Sequence, residues 1–562
     1  MYILGISAFY HDSAACLLKD GKILSAVEEE RFTRIKHDNS FPYNAISFCL
    51  RASSLEIGDI DYVSYYEKPL VKFERILETF VQTYPFSVKP FIKGIPEWLS
   101  EKIKVGEIIK KKIGFGGEIF FVPHHLSHAA SSFFTSGFDE AAVLTIDGVG
   151  DRPTTGLWGG SDKTIENLSV INFPHSLGLF YSTFTSFLGF RVNNDEYKVM
   201  GLAAYGRPIY SNLINNEIIK VKNDGSFKLN LKYFAYPYSP SMYSRNFIKL
   251  FGRPRIQNGK IKERDRNLAA SLQKVIEEIY FKMLNHLYDV TKSKNLCIGG
   301  GVALNSLANG KIYKYTPFTS VYIFGPAGDN GAAIGAALYT YRSILNNSRK
   351  GRIKSLALGS SYTDREILKV LNTKGLSFKK FKDKKDLINK TARLLTKDKI
   401  IGWFQGRREF GPRALGNRSI LANPREPGMK DKVNLIKKRE KFRPFAGSVI
   451  QDKVHELFSV PEKKHSSPFM NFCFKVKKDR ERLISAIVHK DKTCRIQTVN
   501  KDNGIYYYLI RKFYELSGCP CILNTSFNLN NEPIVETPTQ AINDFESTSI
   551  DFLVIGGYLV WK

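Results

Sequence analysis

The sequence predicts a two-domain α/β protein. Three features point there. Its 562 residues exceed what one core usually holds, at roughly 100–200 residues per domain. Strand-like and helix-like segments alternate along most of its length. One strand–turn–strand plan also occurs twice in the first half.

The plan opens with YILGIS, the turn AFYHD, then SAACLLKDG and KILSAVEEE. It returns as AAVLTIDGVGD, TTGLWGGSD and KTIENLSVINF. Two such hairpin units heading two half-domains predict a duplicated actin-like or sugar-kinase-like (ASKHA) core. In that architecture phosphates sit between the hairpins. The segment 210–265, rich in Tyr, Pro, Asn and basic residues, reads as an irregular insertion. Leu268, Leu272, Val275, Ile276, Ile279, Met283 and Leu287 keep helical spacing. NLCIGGGVALNS and VYIFGPAGDNGAAIGAALY each read as strand, glycine turn and helix. NNSRKGRIKS (346–355) is a polar linker, which divides the chain into domains 1–355 and 356–562. Beyond it, DREILKVLN and KKDLINKTARLLTK read as helices. KIIGWFQG, PCILNTSF and DFLVIGGYLVW read as strands.

Composition narrows the class. Hydrophobic residues make up 43% and charged residues 24%, a globular balance. No apolar run approaches the roughly 18 residues of a membrane span, so no membrane partner is expected. MYILGISAFYHDS lacks a basic n-region and a long apolar h-region, and reads as a first strand. Of seven cysteines only Cys519 and Cys521 are close, and C-x-C alone is no zinc site. Sparse, odd-numbered thiols predict a reducing, cytoplasmic compartment. The net charge of +29 leaves three readings open. They are nucleic-acid or membrane-surface binding, handling of several phosphates, and a solvated basic surface. KKFKDKKD (379–386) is the densest run and reads as an exposed face.

Five motifs carry chemistry. In PHHLSHAAS, His124 and His128 are four apart and share one helix face, where imidazoles converge on a cation. Alone, such a pair more often packs or caps than binds a metal. Asp147 after AAVLTI and Asp329 in GPAGDNG add carboxylates at strand ends, where open α/β sheets bind ligands. Turn formation is their alternative reading. GGGVALN (299–305) and GPAGDNGAAIG (325–335) are glycine turns opening helices, suited to cradle phosphate. Lys198 in NNDEYKVMGLAAYG offers a point charge to a phosphate, or sits on a helix surface. Arg407, Arg408, Arg413, Arg418, Lys438, Arg439 and Arg443 crowd among Gly and Pro turns, a phosphate-binding pattern without the aromatic platform of single-strand binders. Asn524, Ser526 and Asn528 follow the strand PCIL and offer amides and a hydroxyl to a small polar group, or form a turn.

With those motifs in hand, the chain resembles the O-carbamoyltransferases of nodulation-factor and antibiotic biosynthesis over almost its whole length. ISAFYHDSAA, EEERFTRIKH, HHLSHAAS, SLGLFYSTFTSFLGF, EYKVMGLAAYG, GGGVALN, GPAGDNGAAIGAA, FGPRALGNRSILA, KREKFRPFAG and LNTSFNLNNEPIV carry the resemblance in order. It implies an ASKHA-type amino-terminal domain and a YrdC-like carboxyl-terminal one. It further implies that carbamoyl phosphate and Mg-ATP give carbamoyl-adenylate, pyrophosphate and phosphate in the carboxyl domain. A hydroxyl of a small-molecule acceptor then takes the carbamoyl group at a metal in the amino-terminal domain, and AMP leaves.

By that resemblance His124, His128, Asp147 and Asp329 hold a divalent metal, Fe(II). His11 is the catalytic base on the acceptor side and Lys198 a second catalytic group. Gly299, Gly300, Asn305 and Gly328 line the adenylate pocket. Arg413, Arg418, Lys438, Arg443, Arg495, Asn524 and Ser526 bind carbamoyl phosphate and ATP. HKDKTCRIQTV (489–499) departs from the family pattern just before Arg495, and the 210–265 insertion matches no motif. A homodimer without a specific nucleic-acid partner fits this picture. Two other classes stay in view. One is a threonylcarbamoyl-type tRNA-modifying enzyme, which shares the metal motif. The other is a nucleic-acid-binding protein, which rests on charge alone.

Overall fold

A computed structural model describes residues 1–348 and 351–562, with the backbone alone at Glu97. Arg349 and Lys350, inside the expected linker, lie outside the described residues. The chain forms two compact units. Unit 1 comprises residues 1–29, 39–308 and 312–352. Unit 2 comprises residues 353–562 together with the short segments 30–38 and 309–311.

Unit 1 repeats one sheet topology. Its first sheet holds β1 (Tyr2–Ser7), β2 (Ala14–Lys19), β3 (Lys22–Glu28), β4 (Tyr62–Tyr65) and β5 (Glu118–Phe121), in the order 3-2-1-4-5. β1 to β3 form an antiparallel meander, and β4 and β5 add in parallel. The second sheet begins with β6 (Glu140–Ile146), β7 (Pro153–Ser161) and β8 (Thr164–Asn172). After a small hairpin, β9 (Ile219–Val221) and β10 (Phe227–Leu229), it ends with β11 (Asn295–Gly299) and β12 (Ser320–Ile323). Its order, 12-11-6-7-8, is the same plan: an antiparallel meander, then two parallel additions on the first strand's free side. The duplication visible as two Asp-turn hairpins is therefore a duplication of whole sheets, the ASKHA arrangement.

Near-continuous apolar runs suit strands covered on both faces. Val143, Leu144 and Ile146 of β6 and Leu296, Cys297 and Ile298 of β11 are fully buried. The helices His124–Ser136 and Asp329–Tyr339 cover these sheets in close contact. The contact is possible because position 335 is glycine: a Cβ there would overlap the Ser127 carbonyl oxygen.

The segment 210–265 corrects the expectation of an irregular insertion. It folds into the β9–β10 hairpin and a helix over Arg245–Phe251. Its order comes from aromatic packing that strand and helix periodicity do not reveal. Phe247 lies 5.1 Å from Phe184 and 5.0 Å from Phe187, ring centre to ring centre. The following helix runs from Glu263 to Thr291, longer at both ends than its apolar stripe.

Unit 2 is built on one nine-stranded mixed sheet. Its strands are β13 (Ser377–Lys380), β14 (Ile401–Phe404), β15 (Arg418–Ala422), β16 (Ala446–Ile450), β17 (Phe472–Lys475), β18 (Thr493–Val499), β19 (Cys521–Ser526), β20 (Phe552–Ile555) and β21 (Tyr558–Trp561). They run 13-21-20-14-15-19-16-18-17 across the sheet. Only β14–β20 and β16–β18 are parallel. The register places Asn524, Ala446, Arg495 and Cys473 in one row across β19, β16, β18 and β17. Directly paired residues share a face, so the Asn524 and Arg495 side chains point the same way, two strands apart.

Candidate active site

The turn after β6 and the helix His124–Ser136 meet in unit 1. Asp147 Oδ1 accepts the N–H groups of Gly148 at 2.8 Å and Gly301 at 3.2 Å. Those bonds turn Oδ2 toward the helix, where it stands 3.1 Å from Nε2 of both His124 and His128. The two Nε2 atoms are themselves 3.1 Å apart. Asp329 opens the second helix, and its Oδ1 lies 3.7 Å from His124 Nε2 and 3.4 Å from His128 Nε2. One donor atom from each of the four residues falls within 4.8 Å of all the others.

The electrostatics of this cluster call for a cation. All four residues are buried, and neither carboxylate oxygen of Asp329 has a hydrogen-bond partner among the described residues. An ionised carboxylate so placed is costly unless it coordinates something positive. Burial pushes the Asp147 carboxyl up, but hydrogen bonds from His124 and His128 overcome it and hold it well below the usual range. Burial pulls His128 down, yet its hydrogen bond to Asp147 and the nearby Asp329 charge push it up to about 9. Two imidazoles and two carboxylates suit a borderline divalent metal such as Fe, Mn or Zn.

Glycines let the backbone close around the site. Gly300 adopts φ +85°, and a Cβ there would overlap the Ile146 carbonyl. At Gly299 a Cβ would come 2.7 Å from the His128 carbonyl oxygen. Both glycines thus admit the His124–Ser136 helix and the Asp147 strand, which gives the GGG turn a packing reason. Gly328 precedes Asp329 as the helix cap, with only Asn330 Oδ1, 3.9 Å away, near its open side.

His11 comes from the equivalent turn of the first sheet. Phe9 at φ 72° and Asp12 at φ 54° flank it, a strained turn of the kind found at functional sites. Its Nδ1 lies 3.0 Å from Asp12 and its Nε2 3.7 Å from Asp329. Burial lowers the His11 imidazole, but Asp329 and Asp12 outweigh burial and raise it to about 10.

Two other expected groups stand in bonded frames. Lys198 is buried, not on a helix surface, with Nζ 3.2 Å from Asp195. The Asn305 amide exchanges hydrogen bonds of 3.0 and 3.1 Å with Gln273.

Unit 2 gathers a second, basic site. Lys437 is buried and donates to the Ser526 carbonyl at 2.5 Å, the Asn528 carbonyl at 2.8 Å and Asn528 Oδ1 at 2.9 Å. Burial, then the charges of Arg439 and Arg443, hold its ammonium well below the usual lysine range. Lys438, the residue expected here, points to solvent at φ 49°. The KKRE spelling does not say which lysine turns inward.

Burial lowers the Arg495 guanidinium below the usual arginine range, and the Arg443 charge adds to that. Arg413 is half-buried. Asn524 donates to Ala414, Ser448 and Gln497, while its buried Oδ1 has no hydrogen-bond partner among the described residues. The Ser526 hydroxyl donates to Asn528 Oδ1 at 2.6 Å.

Arg418 is different from these. It is fully buried, donates to the Gln405, Gly406, Asn417 and Ser360 carbonyls, and stacks 3.6 Å from the Phe404 ring centre. Arg408 likewise pairs with Glu536 at 2.5 Å inside the core. These two guanidiniums hold the turn chain itself.

The carbamoyltransferase N-terminus matches residues 2–338, and the carbamoyltransferase C-terminus matches residues 392–562. The chain belongs to the carbamoyltransferase family. Among relatives of this carbamoyltransferase is nodulation protein NolNO of Sinorhizobium fredii, 36% identical over 99% of this chain and 80% of its own length. Protein sll1178 of Synechocystis is 43% identical over all of this chain and 97% of its own. Protein MJ1058 of Methanocaldococcus jannaschii is 33% identical over 99% of each chain.

Three residues beside the carbamoyltransferase's two sites were not legible from spacing. Lys437 is one. Asp151 is another: its Oδ2 accepts the His124 N–H at 2.8 Å. Its position four after Asp147, in IDGVGD, was the available signal. Tyr10 is the third, with its ring 4.5 Å from that of His11. Burial and then the Asp329 and Asp147 charges raise its phenol.

Proposed function

We propose that this carbamoyltransferase makes carbamoyl-adenylate from carbamoyl phosphate and ATP in unit 2. It then transfers the carbamoyl group to a hydroxyl of a small-molecule acceptor in unit 1. The observation that carries the reading is the buried His124, His128, Asp147 and Asp329 cluster, with both Asp329 carboxylate oxygens lacking a hydrogen-bond partner among the described residues, in a chain that matches both halves of the family.

In the first step, carbamoyl phosphate and ATP give carbamoyl-adenylate, pyrophosphate and phosphate, with one water consumed. Arg443, Arg495 and Arg413 bind the phosphate groups, since guanidinium forks match phosphate oxygens. Lys437 fixes the Ser526–Asn528 loop beneath them. Asn524 Oδ1, which lacks a protein partner, accepts from the carbamoyl NH2 group.

In the second step the acceptor hydroxyl oxygen bonds to the carbamoyl carbon, the bond to AMP breaks and AMP leaves. His124, His128, Asp147 and Asp329 would hold a divalent metal, Fe(II) by the family resemblance. When bound, it supplies Lewis-acid polarisation of a carbonyl or phosphoryl oxygen. His11, whose Nε2 lies 3.7 Å from Asp329, would take the acceptor proton on that nitrogen. Lys198 and the Gly299–Gly300 and Gly328 turns bind the adenylate phosphate.

The test supplies ATP, carbamoyl phosphate and Fe(II) and follows pyrophosphate and carbamoyl-AMP by mass spectrometry. ATP consumption that requires carbamoyl phosphate is expected. Consumption that requires threonine and bicarbonate instead would move the chain to the tRNA-modifying class.

A further inference from the structure

The helix Pro69–Gln82 has its faces reversed. Leu70 and Val81 are 67% and 71% exposed, while two of its cations are buried. Lys72 and Arg75 stand three residues apart, so they share one helix face, and they are 8% and 9% exposed. Asp151 anchors the start of this helix, where its Oδ1 accepts the Lys68 N–H at 2.8 Å.

The two buried cations are treated differently. Lys72 Nζ pairs with Glu67 at 2.6 Å and lies 5.2 Å over the Tyr10 ring. Arg75 lies 5.0 Å over the Phe173 ring, and its Nε is buried with no hydrogen-bond partner among the described residues. The carboxylates around it are engaged elsewhere. Glu67 Oε2 accepts from Lys72, the two Asp151 oxygens accept backbone N–H groups, and Glu78 pairs with Arg152 at 2.5 Å. A guanidinium keeps its charge and carries five N–H donors, so burying it without an acceptor is costly. Stacking on one aromatic face offsets only part of that cost.

The position of Arg75 gives this vacancy a use. The helix lies in the same unit as the His11 and metal-ligand cluster. Tyr10 links the two. Its ring lies beneath Lys72 Nζ, and its centre is 4.5 Å from that of the His11 ring. A Cβ on Gly148, beside Asp147, would stand 3.9 Å from the Tyr10 hydroxyl oxygen. Phe173 supplies a second aromatic face, its ring centre 6.1 Å from that of Tyr236. Aromatic faces and a forked donor, next to the histidine proposed as base, suit a hydroxylated molecule that carries one acid group. A hydroxyl or amide in that place would accept from Arg75 but leave its charge uncompensated. A carboxylate or phosphate does both, and matches the fork with two oxygens.

We infer that Arg75 binds the carboxylate or phosphate of an acidic acceptor and so presents the acceptor's hydroxyl to His11. Lys72, already paired with Glu67, supports the Tyr10 ring beside it. The inference rests on the proposed transfer in unit 1 and names the class of acceptor that transfer uses.

The test is calorimetry on the Fe(II)-loaded full chain, without ATP, with glucose, glucuronate and glucose 6-phosphate as probes. They differ in one group. An acid that fits should bind about tenfold or more tighter than glucose, as a charged hydrogen-bonded pair provides. A gain for glucuronate alone assigns a carboxylate, and a gain for glucose 6-phosphate alone a phosphate. Arg75→Gln should erase the difference, and Arg75→Lys, which keeps the charge but not the fork, should keep part of it. The unfolding midpoint of Arg75→Gln should not fall, because it removes an unpaired buried charge. Equal binding of the three probes by the wild type, or an acid preference that Arg75→Gln leaves undiminished, overturns the inference. So does a midpoint of Arg75→Gln well below that of the wild type, which would make the guanidinium a structural group. Binding read without ATP stands apart from carbamoyl-phosphate-dependent pyrophosphate release, whose absence would sink the proposed reaction instead.

Discussion

Asp151 Oδ2 accepts the backbone N–H of His124 at 2.8 Å, and its Oδ1 accepts that of Lys68 at the same distance. One carboxylate therefore fixes both the start of the His124–Ser136 helix and the chain entering the Pro69–Gln82 helix. Asp151→Ala leaves all four ligands in place but frees that helix end. It should cost about 1 kcal/mol of stability, as lost caps do. Metal affinity should fall about tenfold or more, as when groups that orient a metal's ligands are removed. Asp151→Asn keeps one acceptor oxygen and should recover part of both. Thermal unfolding and metal content after dialysis read the two effects.

Gly335→Ala tests how closely the two ligand-bearing helices must approach. The new Cβ would fall on the Ser127 carbonyl, in a contact of backbone with no side chain free to move aside. We expect about 2 kcal/mol of destabilisation, typical of overpacking. Metal content should fall too, because Asp329 rides on the displaced helix. An unchanged unfolding midpoint would show that the helices have room.

The arginines of unit 2 should separate into two groups. Arg418 holds four carbonyl-bearing residues and is enclosed, so Arg418→Ala should lose about 3 kcal/mol or more, as for other broken buried charge networks. Arg443→Ala and Arg495→Ala should fold normally and raise the KM for carbamoyl phosphate. Denaturant unfolding beside steady-state kinetics distinguishes the groups. A normal midpoint for Arg418→Ala would return that residue to the phosphate site.

These contrasts show what the sequence could reveal. Spacing put His124 and His128 on one face, because four residues return to one face of a helix, but it left packing or capping as the commoner use of such a pair. It put Asp147 and Asp329 after apolar strands, where a turn was the alternative. It could not choose between Lys437 and Lys438, since that depends on one residue in the left-handed region after the helix. Nor could it separate Arg418 from Arg443, because a guanidinium serves a carbonyl as well as a phosphate. The duplication showed as hairpins but not as matching sheets, since the parallel strands β4, β5, β11 and β12 lie far along the chain from their partners. The reversed face of the Pro69–Gln82 helix was also hidden. Periodicity reports an apolar stripe without saying which way it points.

Asp544 gives a pH signature. Burial, then the charge of Glu532, raises its carboxyl to about 6, despite Arg34 and Lys437. The folded state thus binds this proton more tightly than the unfolded state, whose carboxyl titrates near 3.8. The contribution to stability is best below pH 4, falls as pH rises from about 4 to about 6, and is a constant cost above that. Asp544→Asn should therefore stabilise the protein at pH 7 by about 2 kcal/mol, allowing for partial exposure. The gain should vanish at pH 4. Urea unfolding of both proteins at the two pH values checks it.

The division of labour between the two sites is tested most directly by His128→Ala. Metal content and carbamoyl-phosphate-dependent pyrophosphate release are measured on one preparation, beside the wild type. The account predicts that bound metal falls at least about tenfold, while pyrophosphate release continues near the wild-type rate because unit 2 is intact. Full metal content in His128→Ala, or loss of pyrophosphate release together with the metal, would contradict it.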